Sequence, residues 1–93
     1  MVLRHLRGEG LMWFLYVVEC SDGTLYCGIT LDVARRVQEH NESTRGAKYT
    51  RTRRPVTLYG FREAGVTRAE AMRAELLFKR LSRTRKKQEV ETW

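Results

Sequence analysis

The sequence predicts a small α/β domain of the α+β kind, a three-stranded, mainly antiparallel sheet flanked by helices in the order β-β-α-β-α. Three observations predict it. A nearly unbroken apolar run, LMWFLYVVEC, leads through the turn signal SDG into a second strand-like stretch, TLYCGI. Two segments of helical periodicity, LDVARRVQEH and TRAEAMRAELLFKRLS, follow and alternate with a third strand-like stretch, VTLYGF. The chain has 93 residues, enough for one domain with a modest core.

Residues 1–11 read as a short basic extension, because no apolar stretch precedes a small-residue cleavage site. The folded pattern begins at Met12 and runs to residue 87, and residues 88–93 read as a tail. The run from Leu11 to Cys20 is rich in aromatic and β-branched residues and predicts a strand buried on both faces. Ser21, Asp22 and Gly23 suit a type I turn closed by a left-handed glycine, which leads into a strand over Thr24–Ile29. That loop length fixes the register. Cys20 then faces Thr24, Val18 faces Tyr26, Val17 faces Cys27 and Tyr16 faces Gly28. Tyr16 and Tyr26 share one face, and the two cysteines point apart.

Leu31–His40 reads as a short helix, with Thr30 as N-cap and Asp32 near the positive end of the dipole. Residues 41–55 form a polar, basic loop, Val56–Phe61 a third strand and residues 62–66 a turn. Thr67 and Glu70 make a capping box for the longest helix, which reaches Ser82. Its apolar stripe is Ala71, Ala74, Leu77, Phe78 and Leu81, with Glu75 on the stripe's edge. The sequence RTRKKQEVETW then reads as a frayed basic tail.

Lysine and arginine number 18 against 11 acidic residues, a net charge of +7. Such a surface attracts polyanions, nucleic acid above all. No apolar run approaches a membrane span, and two cysteines are too few for a disulfide framework, so the expected setting is cytoplasmic with no membrane partner. The cysteines and histidines lack zinc-ligand spacing, and no phosphate-binding glycine loop or hydrolase nucleophile motif is present.

Several residues can carry chemistry. Tyr16 and Tyr26 could be ordinary core aromatics, but Gly28 weakens a strand unless something must approach its backbone. Arg36 and His40 share a helical face, where a guanidinium fork suits phosphate oxygens and an imidazole can relay a proton. Arg35 and Glu39 lie further round the helix and look like solvated surface. Glu75 could be a rim residue or a ligand for a hard cation. Two basic clusters, Arg45, Lys48, Arg51, Arg53 and Arg54 with Tyr49 interleaved, and Lys79 to Lys87, form a candidate backbone track, and Tyr49 could stack on an unpaired base.

The ordered set Phe14-Leu15-Tyr16, Tyr26-Cys27-Gly28, DVARRVQEHN and EAMRAELLFKRLSR closely resembles the GIY-YIG nuclease family over about Met12 to Lys87. The nearest likeness is to small stand-alone bacterial GIY-YIG proteins, and the arginine helix also resembles the catalytic subunit of eukaryotic junction nucleases. The resemblance implies the GIY-YIG fold and a metal-dependent DNA endonuclease. Tyr16 would be general base or water-positioner, and Tyr26 would touch water or the scissile phosphate. Arg36 would stabilise the transition state, and His40 would accept a proton from the tyrosine. Glu75 would hold one Mg²⁺ or Mn²⁺, and Gly28 would allow close packing. Arg35, Arg45, Lys48, Tyr49, Arg51, Arg53, Arg54, Lys79, Arg80 and Arg83 are the expected nucleic-acid contacts. The expected partner is nucleic acid, DNA in preference to RNA, and a targeting protein could supply localisation. The first motif lacks the family's glycine and isoleucine, Cys27 replaces an aliphatic residue, and no asparagine follows Glu75. Two rival readings are a non-catalytic DNA- or RNA-binding module on the same fold, and a docking protein whose charge serves assembly alone.

Overall fold

The computed structural model describes residues 12–93. The expected extension over 1–11, and Leu11 at the head of the first strand, lie outside the described residues. Three antiparallel strands form one sheet in the order β2-β1-β3. They are β1 (Trp13–Glu19), β2 (Leu25–Thr30) and β3 (Thr57–Gly65). The helices are α1 (Val33–Glu42), the single turn α2 (Lys48–Arg51), α3 (Arg68–Lys79) and α4 (Arg83–Val90).

Strand β1 is central, and its side chains alternate between two layers. Phe14, Tyr16, Val18 and Cys20 join Val33 and Val56 on one face, with Met12, Tyr26 and Val37 packed around them. Leu15 and Val17 join Cys27 and Phe78 on the other, with Ala74, Leu81, Val90 and Trp93. So α1 covers the first face and α3 with α4 the second. The aromatic and β-branched composition of β1 follows from this burial on both sides.

The hairpin has the predicted register. Val18 pairs with Tyr26, Val17 with Cys27 and Tyr16 with Gly28. The Cys20 N–H donates to the Thr24 carbonyl at 2.8 Å, and Gly23 takes φ 83°, as the three-residue loop requires. Cys20 and Cys27 are free thiols in different layers.

Five expectations are corrected. Thr30 is not the N-cap: it still pairs with Phe14 in the sheet, and its Oγ1 accepts the Asp32 N–H. Asp32 caps α1 instead, accepting the Arg35 N–H at 3.1 Å, and the helix runs on to Glu42. The basic loop contains α2. Strand β3 runs through residues 62–65, expected as a turn, because Glu63 and Gly65 pair with Phe14 and Trp13 across bulged positions. The tail is not frayed: Ser82 caps α4 by accepting the Arg85 N–H, and Val90 and Trp93 reach the sheet. Finally, Leu77 is 57% exposed, so the buried stripe of α3 is Ala71, Ala74, Phe78 and Leu81. The Thr67–Glu70 capping box is present as predicted.

Candidate functional site

The site grows from the cross-strand pair Tyr16–Gly28. A Cβ on Gly28 would stand 2.7 Å from the Tyr16 hydroxyl and 3.0 Å from its ring. Glycine therefore lets the tyrosine ring lie across the neighbouring strand. The hydroxyl, buried under α1, meets His40 Nε2 at 2.7 Å. The Arg36 guanidinium lies close enough for its positive charge to act on the hydroxyl. Arg36 and His40 reach the same tyrosine because they are one helical turn apart.

His40 has no solvent exposure. The basic loop seals it. Thr50 Oγ1 lies 2.9 Å from Nδ1, and Gly46 is packed so closely that a Cβ would stand 2.7 Å from the Glu39 carbonyl. The Tyr16 and Tyr26 rings flank the imidazole at 5.7 and 5.4 Å between centroids. Tyr26 in turn stacks on Tyr49 at 5.8 Å, and the Arg53 guanidinium lies 3.9 Å over the Tyr49 ring.

The electrostatics follow from burial. Desolvation pushes the Tyr16 phenol well above its ordinary range, although Arg36 pulls the other way. Burial outweighs the pull of the cation toward the phenolate. Desolvation, with the Arg36 charge beside it, pushes His40 down to about 4. Both groups are thus neutral at neutral pH. The hydrogen bond from Arg36, with the charges of Arg36 and Arg35, holds the Glu39 carboxyl below its usual range.

Arg36 donates from one terminal nitrogen to Glu39 and to the Arg45 carbonyl, each at 2.9 Å. Glu39 binds both Arg35 and Arg36. Of the other expected backbone contacts, Arg51 holds the Thr44 carbonyl. Arg53 bridges Asp22 and the Tyr49 carbonyl. Arg54 closes the end of α1 through the His40 and Ser43 carbonyls. Arg45, Lys48, Arg80 and Arg83 are exposed.

Glu75 lies on α3, in the other layer. Its carboxylate pairs with Lys79 at 3.2 Å beside a groove of about 360 Å³ lined by Met72, Arg73 and Leu76. Lys79 is within electrostatic reach of Cys27 and Tyr26 at the β2 edge. Among the described residues, Glu75 makes no hydrogen bond or ion pair to the Tyr16 cluster, and no group of three or more His, Cys, Asp or Glu side chains converges. A part-buried lone carboxylate does suit Mg²⁺, which keeps most of its waters and takes the rest of its ligands from a substrate phosphate.

Sequence reasoning missed Thr50, because a threonine in a basic loop carries no signal of its own. It also missed the structural role of Asn41, which pairs both ways with the Val56 backbone and ties α1 to the start of β3.

Helices on both faces of a small antiparallel sheet, with two tyrosines, an arginine and a histidine gathered beside an edge strand, make an α+β domain with one buried polar cluster. The GIY-YIG catalytic domain model matches residues 12–88, and the chain belongs to that family. It is 56% identical over 75 residues to the UPF0213 protein DP2720 of Desulfotalea psychrophila, covering 81% of this chain and 67% of the relative. It is 49% identical to the UPF0213 protein YazA of Bacillus subtilis, covering 84% and 77%. The solution NMR structure of EF2693 from E. faecalis has 44% identity and a TM-score of 0.60, covering 87% of this chain and 84% of that one. No helix among the described residues is long and apolar enough to cross a membrane.

Proposed function

We propose that this protein is a metal-dependent endonuclease that hydrolyses phosphodiester bonds in DNA and selects its target by shape: branched, damaged or single-stranded. The observation that carries the reading is the buried Tyr16 hydroxyl, beside the Arg36 charge and 2.7 Å from His40 Nε2. Phosphodiester hydrolysis needs a water relieved of its proton and a cation on the phosphoryl oxygens. The pKa shifts of Tyr16 and His40 both oppose a standing phenolate–imidazolium pair. Tyr16 therefore works as a relay. It takes the proton of the attacking water as its own proton passes to His40 Nε2, so no full phenolate forms.

Arg36 meets the phosphate charge with the donors that Glu39 and Arg45 leave free. Tyr26, half-buried beside the relay, orients the water or the phosphate. Glu75 would hold a single Mg²⁺ or Mn²⁺, which would supply further charge neutralisation at the phosphoryl group. Exposed Arg45, Lys48, Arg80 and Arg83 track the nucleic-acid backbone. Shape selection suits the domain's size, since even single modules that read sequence bury about 600–1,000 Å².

A second reading, a binding module without turnover, is favoured by one observation: Lys79 occupies Glu75 and no contact ties it to the relay. A cleavage assay separates the two. End-labelled junction, flap, single-stranded and duplex DNA, with single-stranded RNA alongside, are incubated with Mg²⁺ or Mn²⁺ and then with chelator. Metal-dependent cuts that vanish in Arg36→Ala and Glu75→Ala, with binding retained, support the nuclease. Salt-sensitive binding with no cuts makes the binding module the better account.

A further inference from the structure

We infer that Thr50, with the turn it belongs to, sets the tautomer of His40 and so acts as a positioning residue for the proton relay. The inference rests on the nuclease reading for its purpose, but its geometry stands without it. Thr50 is fully buried, as is His40. Its hydroxyl has one proton, which it donates to the Ala47 carbonyl at 2.9 Å. The same oxygen lies 2.9 Å from His40 Nδ1. Having spent its proton on Ala47, it can only accept there, so Nδ1 carries the imidazole's hydrogen. The Ala47 N–H competes for Nδ1 from 3.4 Å, the long end of hydrogen-bond range.

On the other side of the ring the consequence is fixed. A neutral imidazole with hydrogen on Nδ1 presents a bare lone pair at Nε2. That lone pair faces the Tyr16 hydroxyl at 2.7 Å. The chain of donors then runs one way: Tyr16 hydrogen to His40 Nε2, His40 Nδ1 hydrogen to Thr50, Thr50 hydrogen to Ala47. Each group in that chain has a partner, and the Ala47 N–H, aimed at Nδ1, is the one donor the arrangement leaves unmatched. The opposite tautomer would aim an N–H at the Tyr16 oxygen and take away the one acceptor that the Tyr16 hydroxyl hydrogen has there, and would leave Thr50 with two demands on one proton. The device depends on the loop's close approach at Gly46, whose missing side chain leaves room beside the Glu39 and His40 backbone.

The test reads the tautomer directly, by NMR of the imidazole nitrogens of His40 in labelled full-length protein. Wild type and Thr50→Ser are expected to show hydrogen on Nδ1 and a bare Nε2. Thr50→Val, which keeps the shape and loses the oxygen, is expected to populate the Nε2–H form. Thr50→Ala serves the same purpose if the valine variant does not fold. An Nε2–H tautomer in wild type overturns the inference, and so does a valine or alanine variant whose His40 matches wild type. On cleavage, Thr50→Val should lower kcat about 10- to 100-fold with KM unchanged, and serine should restore it. An unchanged kcat in Thr50→Val also overturns the positioning role. If wild type cuts nothing, the nuclease reading falls, and the spectra alone decide whether Thr50 fixes the tautomer.

Discussion

The two faces of the central strand are built from neighbouring residues yet obey different physics. Leu15 and Val17 look toward Phe78, Ala74 and Leu81, and nothing in that layer depends on direction. Tyr16, one residue away, looks toward Arg36, His40 and Thr50, where each atom must meet a particular partner. The first face holds by area removed from water. The second face buries polar groups and is favourable only while every hydrogen bond is made. One strand thus joins a purely apolar layer to a second apolar layer that also encloses a buried polar cluster.

That contrast can be broken from either side. The largest effect is expected from Leu15→Ala, which opens a hole at a fully buried position and should cost about 2–5 kcal/mol in denaturant unfolding. The His40 resonances of the remaining folded molecules should not move.

Acid should act on the polar face first, through His40. His40 titrates near 4 in the folded chain against an ordinary 6.5, so the unfolded chain binds a proton that the folded one refuses. Stability should hold above 6.5 and fall as the pH drops toward 4, by up to about 3 kcal/mol, with Arg36 and Arg54 opposing the imidazolium and Glu39 favouring it. Tyr16 gives the mirror image. Its folded pKa is raised, so stability should fall as pH climbs past 10, where the unfolded tyrosine ionises first. Unfolding midpoints measured across pH should show the loss that begins just below 6.5 shrink in His40→Gln, leaving the part that the lowered carboxyls of Asp22, Glu39 and Glu70 contribute at lower pH.

Tyr16→Phe keeps the ring and removes one oxygen. It leaves His40 Nε2 buried without a partner and should cost about 1–3 kcal/mol, while any cleavage falls at least about 100-fold. Gly28→Ala should do similar harm without touching either partner, by driving a Cβ against the Tyr16 hydroxyl. The smallest effect belongs to Leu77→Ala, which should change stability by under about 0.5 kcal/mol, because this side chain is exposed.

What was legible in the sequence follows the same division. The hairpin register could be counted from a three-residue loop ending in glycine, and with it the shared face of Tyr16 and Tyr26 and the partner of Gly28. The capping box announced α3, and the four-residue spacing of Arg36 and His40 put them on one face. Local rules decide such features. Leu77 and Phe78 sit beside each other on the same helix, and only the packing of α3 decides which is buried. The α4 helix was hidden because its basic sequence has no apolar stripe; it is held by a serine cap and by two residues at its far end. Thr50 was invisible for a different reason: its meaning comes from a ring ten residues earlier in the chain.

Gly60 shows how far that non-local logic extends. It lies on β3, and a Cβ there would run into the Val90 side chain, with the Trp93 ring 3.5 Å away. The volume that Gly60 gives up is the volume that Val90 fills. The two positions are therefore bound to vary together: a relative with alanine or larger in the place of Gly60 should carry something smaller than valine where Val90 stands, or let the last helix swing outward. Paired substitution, Gly60→Ala with Val90→Ala, should be tolerated better than Gly60→Ala alone, a coupling that a thermal-melt double-mutant cycle would measure.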